Sequence, residues 1–140
     1  MKYLSVVLVI ACSSLPCLAQ YSDQYSACDK KANTQFAMDK CASEEAARVD
    51  KQRENIYEEL LSKAESQPEA VAKIKAAETA WITYRAAYIE AMWPAENKQA
   101  EYGTIYPMQA DLLWAKLTQR HITDLKELLA GDLSLSLSTE

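Results

Sequence analysis

CDKKANTQFAMDKC, residues 28–41, decides how the chain begins to fold, because it sets two cysteines thirteen residues apart in a stretch that otherwise reads as helix. On a straight helix, thirteen residues at about 1.5 Å rise would separate the two Cα atoms by roughly 20 Å. A disulfide tolerates no more than about 7 Å. Either the cysteines do not pair, or the chain turns back on itself between them.

The compartment decides between these. Residues 1–20, MKYLSVVLVIACSSLPCLAQ, open with Lys2, continue through an apolar run from Tyr3 to Ala11, and end on the small-residue pattern Cys17-Leu18-Ala19. This is a secretory signal pattern, too short and too lightly flanked for a membrane span. Cleavage is expected after Ala19. Val9-Ile10-Ala11-Cys12 loosely resembles a bacterial lipobox, a competing route that would lipidate Cys12, but the segment before it is short. Cleavage after Ala19 removes Cys12 and Cys17, leaving Cys28 and Cys41 in an oxidising, periplasmic setting. They have one intramolecular pairing open to them. Ala32-Asn33-Thr34 reads as the reversal it needs, with Thr34 capping the helix that carries Cys41. A stapled hairpin is expected.

The mature chain of about 120 residues is one domain's worth. Without Lys2, the 15 basic residues become 14 against 20 acidic ones, a balance of −6. That charge argues against nucleic acid or an anionic membrane as partner and suits a basic one. Only 2 glycines and 4 prolines, among abundant Ala, Glu, Lys and Leu, point to an all-helical fold.

Three helices are expected. The first runs from about Thr34 to Glu65, with Met38, Cys41, Ala42, Val49, Ile56, Tyr57, Leu60 and Ala64 inward and Glu45, Gln52 and Arg53 diluting its middle. Ser66 is placed to cap the second, with Pro68 in its first turn and Glu69 completing a capping box. Val71, Ile74, Ala77, Trp81, Tyr84, Tyr88 and Met92 mark its inward face, and Pro94 ends it. A polar connection containing Gly103 leads to the third helix, about Pro107 to Ala130, stopped by Gly131. At lengths of roughly 48, 40 and 36 Å these suit a small three-helix up-down-up bundle. The domain is expected over residues 20–131, followed by a disordered tail at 132–140.

Little here suggests an enzyme. His121, the single histidine, reads as a surface or boundary residue, with no nucleophile and base arranged around it in sequence. Glu44-Glu45 and Glu58-Glu59, interleaved with Lys51, Arg53 and Lys63, read as a solvated face. Two thiols and one distant His give no metal site, and no phosphate loop is present, so no cofactor is expected. The candidate binding loop is Tyr102-Gly103-Thr104-Ile105-Tyr106, apolar side chains on a connection where a scaffold would present them. Folding down to plug one end of the helices is its competing role.

Thr34-Gln35, Met38 and Cys41-Ala42 resemble the opening motif of the LprI-type lysozyme inhibitor domain. So do Asp50 seven residues before Tyr57, Trp81 with Tyr84-Arg85, Gly103-Thr104, and Leu117-Thr118 with Arg120 and Leu125. The resemblance runs from about Cys28 to Leu128. It implies an exported inhibitor of lysozyme acting by occlusion of the substrate cleft. Members usually carry a second cysteine pair at places held here by Tyr88 or Ile89 and by Leu113, so one disulfide is expected rather than two. A Leu-Asn pair common after the Asp is here Arg53-Glu54. Asp50, Arg85 and Arg120 match the pattern and are expected to form a buried or half-buried ion pair between helices. The runner-up is a periplasmic immunity or envelope-stress protein with a different protein partner.

Overall fold

A computed structural model describes residues 21–131. The expected signal peptide, Cys12 and the tail at 132–140 lie outside the described residues. Five helices and no strand make up the described chain: α1 (Asp23–Asp29), α2 (Gln35–Lys63), α3 (Pro68–Met92), α4 (Lys98–Tyr102) and α5 (Tyr106–Ala130). The three long helices fall within two residues of their expected bounds. α1 and α4 are additional, formed where a stapled segment and a polar connection were expected.

The cysteines do pair. Cys28, in the last turn of α1, is bonded to Cys41 in α2 with the Cα atoms 5.7 Å apart. The reversal lies at Lys30–Thr34, and the Thr34 side chain accepts a hydrogen bond from Ala37 N (3.2 Å), capping α2. α1 has no fully buried residue, and the bridge and a polar clasp tie it to α2. The clasp is Glu45, 3% exposed, which accepts from Ser22 N (2.9 Å), Ser22 Oγ (2.6 Å) and both Arg48 nitrogens. Glu45 was expected on a solvated face. It is buried because four donors converge on it, which is what a buried carboxylate requires.

Burial raises the Glu45 pKa, but the hydrogen bonds from Arg48 and Ser22 outweigh it, and the net shift is downward from 4.5. A depressed folded pKa means that the unfolded chain binds more protons in the acid range. The Glu45 contribution is therefore complete above about pH 4.5 and is lost as pH falls through the folded value. Glu45→Gln should cost about 2 kcal/mol at pH 7. The gap between variant and parent should shrink below pH 4, as read by urea unfolding at each pH; a gap constant across pH would contradict the clasp.

α2 packs along α5 through small and branched residues. Ala46, Val49, Ala115 and Ile122 form a buried cluster, with Ile56 and Trp114 against it, while Leu60, Leu117 and Leu125 extend the apolar interior. Alanines at the seam let the two backbones approach closely, and each fully buried Leu or Ile contributes about 1.5–3 kcal/mol. Lys63 Nζ then donates to Leu129 O (2.6 Å) and Gly131 O (3.3 Å), satisfying carbonyls at the end of α5. Asp50 meets Trp114 and Lys63 meets Leu129, so α2 and α5 run in the same direction. Arg53 meets Glu78 and Asp50 meets Arg85, so α3 runs against them.

The inward face of α3 differs from expectation. Tyr84, Tyr88 and Met92 are exposed, as is Ala77. The face turned inward carries Glu78, Arg85 and Ile89, all buried, with Trp81 half-buried between them. Ser66 does not cap α3 either: Gln67 is the N-cap, without a side-chain bond, and Gln67 N closes the turn onto Ala64 O (2.8 Å).

Candidate functional site

Two features could carry function: a charged layer between the long helices, and the connection between α3 and α5. The layer is mostly buried, whereas the connection carries exposed residues.

The layer is built from α2, α3 and α5. Arg85 Nη1 donates to Asp50 Oδ1 (2.6 Å) and to Thr118 Oγ1 (2.7 Å), and its guanidinium lies between two indoles, 3.6 Å from the Trp114 ring centre and 4.5 Å from that of Trp81. Asp50 accepts further from Trp114 Nε1 (2.9 Å) and Arg53 Nε (3.4 Å). Arg53 Nη1 pairs with Glu78 Oε1, and His121 Nε2 lies 2.8 Å from Glu78 Oε2. The His121 ring stacks on Trp81 with centroids 3.9 Å apart and planes 8° apart. Burial drives the Arg85 pKa down against the pull of Asp50. Among the described residues Arg85 Nε is buried without a hydrogen-bond partner, facing indole surface instead.

This chemistry is recognition of the chain by itself. Each carboxylate is held by a guanidinium and by at least one further donor, the arrangement that makes a buried ion pair tolerable. His121 was expected at the surface or its boundary, but it is 9% exposed and engaged by Glu78. It is inside because a carboxylate from α3 meets one edge of the ring and an indole covers its face. Of the expected Asp50, Arg85 and Arg120 grouping, the first two pair and Arg120 is exposed. Two residues, about 200° around α5, separate Thr118, which bonds into the layer, from Arg120 on the opposite face. Among the described residues, no group of three or more His, Cys, Asp or Glu is placed to hold a metal ion.

The connection is braced rather than loose. Lys98 Nζ binds Glu90 Oε2 (2.8 Å) and Asn97 caps α4 through Ala100 N (3.1 Å). Tyr102 Oη accepts from Ala95 N (3.2 Å), and the Tyr106 ring meets Trp93 edge-on at 5.5 Å and Tyr102 at 6.2 Å. Gly103 takes φ 76°, a left-handed value, and a Cβ there would touch nothing within 4 Å, so backbone conformation alone calls for glycine. The candidate binding loop thus divides: Tyr102 and Tyr106 are half-buried braces, while Gly103, Thr104 and Ile105 stand exposed at the tip.

Of the remaining motif residues, Thr34 caps α2, Gln35 donates to Asp39 (2.7 Å), Cys41 is bridged, Leu117 is buried, and Met38 and Tyr57 are half-buried. Glu78, Arg53, Trp114 and His121 belong to the layer without having been expected in it. Where relatives were expected to hold a second cysteine pair, Ile89 is buried and Leu113 half-buried.

These observations define a class: a small all-helical domain with one disulfide, a charged interior layer and a braced, exposed tip. The chain belongs to the Lysozyme inhibitor LprI family, whose match covers residues 28–125. Membership implies a lysozyme-inhibitor-like function. No curated protein and no solved structure matches the chain.

Proposed function

We propose that the mature protein is exported to the periplasm and inhibits lysozyme by inserting the Gly103–Ile105 tip into the substrate cleft. The three long helices serve as an up-down-up scaffold. The observation that carries this reading, beyond family membership, is that the tip is exposed, free of charge and fixed from behind by Trp93, Tyr102 and Tyr106. A glycoside hydrolase of this kind holds two carboxyl groups across its cleft. A neutral tip enters such a site without the repulsion that an acidic helix face would meet, and the mature chain's balance of −6, 14 basic against 20 acidic residues, steers it toward a basic partner. No helix of the described residues is long and apolar enough to cross a membrane. On this reading the protein acts as a binder, and the His121–Glu78 contact, buried within the fold, serves the scaffold.

The test is turnover of bacterial cell wall by a basic animal-type lysozyme, titrated with residues 20–140. Loss of activity at one-to-one stoichiometry is expected. Replacing Tyr102, Ile105 and Tyr106 together by Ala should weaken inhibition by at least about 30-fold. Ile105→Asp is the cleaner variant, since Ile105 is outward-facing and a carboxylate there would be repelled by the cleft. Full inhibition by Ile105→Asp would sink the tip. Absence of inhibition by the folded parent across several lysozyme types would return the function to an exported module with another protein partner, as an immunity or envelope-stress protein would have.

A further inference from the structure

Between α3 and α4 the chain is placed by side chains. Residues 94–97 donate no backbone N–H to a backbone carbonyl of the described residues, and Pro94 has none to give. Their path is fixed at one alanine, gripped from both sides by α4. Ala95 N donates to Tyr102 Oη (3.2 Å), and Ala95 O accepts from Lys98 Nζ (3.3 Å). The same Nζ donates to Glu90 Oε2 on α3 (2.8 Å), so a single ammonium ties the turn to the helix before it. α4 has five residues and none is fully buried. A helix this short is not stable by itself. Among its ties to the rest of the fold are these two side chains and the contact of the Tyr102 and Tyr106 rings.

The tip begins where this grip ends. Tyr102 is the residue before Gly103, and Tyr106, the residue after Ile105, meets Trp93 edge-on at 5.5 Å and Tyr102 at 6.2 Å. Both ends of the tip are therefore referred to one short stretch, 93–98. If that stretch shifts, the tip turns with it. The Lys98 side chain is 20% exposed, against 65% for its partner Glu90. The ammonium is thus spent on the chain and not held out toward a partner.

We infer that Lys98 is a positioning residue for inhibition: through Ala95 and Glu90 it holds the Gly103–Ile105 tip in the orientation that enters the cleft, without itself touching lysozyme. This rests on the inhibitor reading above. Holding a loop in its bound shape removes an ordering cost, and a protein whose competent shape is only partly populated binds more weakly by that fraction. Loss of the tie therefore appears as slower association with little change in dissociation, whereas loss of a direct contact appears in dissociation. Charge alone predicts the other sign. Lys98→Met makes an acidic chain more acidic, and steering by a basic lysozyme would then speed association.

The experiment measures association and dissociation rates of residues 20–140 with a basic animal-type lysozyme for the parent, Lys98→Met, Lys98→Arg and Ile105→Asp. Hydrogen exchange and urea unfolding are followed on each protein alone. Lys98→Met is expected to associate about fivefold more slowly, with dissociation within about twofold of the parent's. The amides of Ala95, Glu101 and Gly103 should exchange faster, while the α2–α5 seam and the urea midpoint stay as in the parent. Lys98→Arg, which keeps donors for both oxygens, should restore association and protection together. Association as fast as the parent's or faster, with Ile105→Asp still failing to bind, would overturn the positioning role and leave the inhibitor reading standing. Faster dissociation alone would make Lys98 a contact residue and overturn it too. Unchanged exchange at the three amides would overturn it without reference to lysozyme. If the folded parent binds no lysozyme, both readings fall.

Discussion

Replacing Arg85 by Ala is expected to lower the unfolding free energy by about 3–5 kcal/mol, more than any exposed position would. The side chain is 4% exposed and lies between Trp81 and Trp114, so truncation opens a cavity between two indoles. It also strips Asp50 of its shortest charge partner, leaving Arg53 Nε at 3.4 Å and the Trp114 indole. Lys at this position retains the charge but not the plane that the indoles cover, and should recover less than half of the loss. Met, which refills the space without charge, separates the two contributions. Urea unfolding of the three variants measures them. A loss below about 1 kcal/mol for Ala would mean that the layer is a passenger in the fold.

The second large effect concerns the staple. Removing Cys28–Cys41, by Cys28→Ser with Cys41→Ser or by reduction, should cost roughly 3 kcal/mol through the freed loop alone. The loss should be local before it is global. α1 buries no residue fully, so without the bridge its attachment to α2 rests on the Ser22–Glu45 clasp and on half-buried side chains such as Tyr25. Hydrogen exchange is expected to accelerate first at residues 23–33, while the α2–α5 seam stays protected. Uniform acceleration across the chain would show that α1 is an integral part of the cooperative unit. Inhibition by the reduced protein is a separate readout, since the tip lies on the α3–α5 connection and not on α1.

The sequence made the seam and the staple readable because both obey simple rules. Val49, Ile56 and Leu60 are apolar residues at helical spacing on the α2 side of that seam, and the two cysteines left by the expected cleavage have one partner each. α3 broke the rule. Its true inner face, Val71, Ile74, Glu78, Trp81, Arg85 and Ile89, holds the helical period better than the apolar stripe through Tyr84 and Tyr88. Two of its members are charged, which hides it from a pattern of apolar residues alone. A usable signal was present: α2 offers Asp50 then Arg53, and α3 offers Glu78 then Arg85, so antiparallel packing matches opposite signs at both levels. Reading it required accepting that charges go inside when their partners do. His121 was missed for the same reason, since its partner lies 43 residues away. At the site, glycine at 103 was legible as a turn. The division of Tyr102 to Tyr106 into braces and tip was not, because it depends on Trp93 and Ala95 meeting those rings in space.

The layer has an optical consequence. Two of the chain's three tryptophans, Trp81 and Trp114, lie against the Arg85 guanidinium, and Trp81 is also stacked on His121. Trp93 has the Tyr106 ring beside it instead. Their emission should therefore report different places: Trp93 the root of the tip, Trp81 and Trp114 the charged layer, whose surroundings change when the helices part. The protein thus carries a label at each place of interest: one that watches the connection between α3 and α5, and a pair that watches the layer.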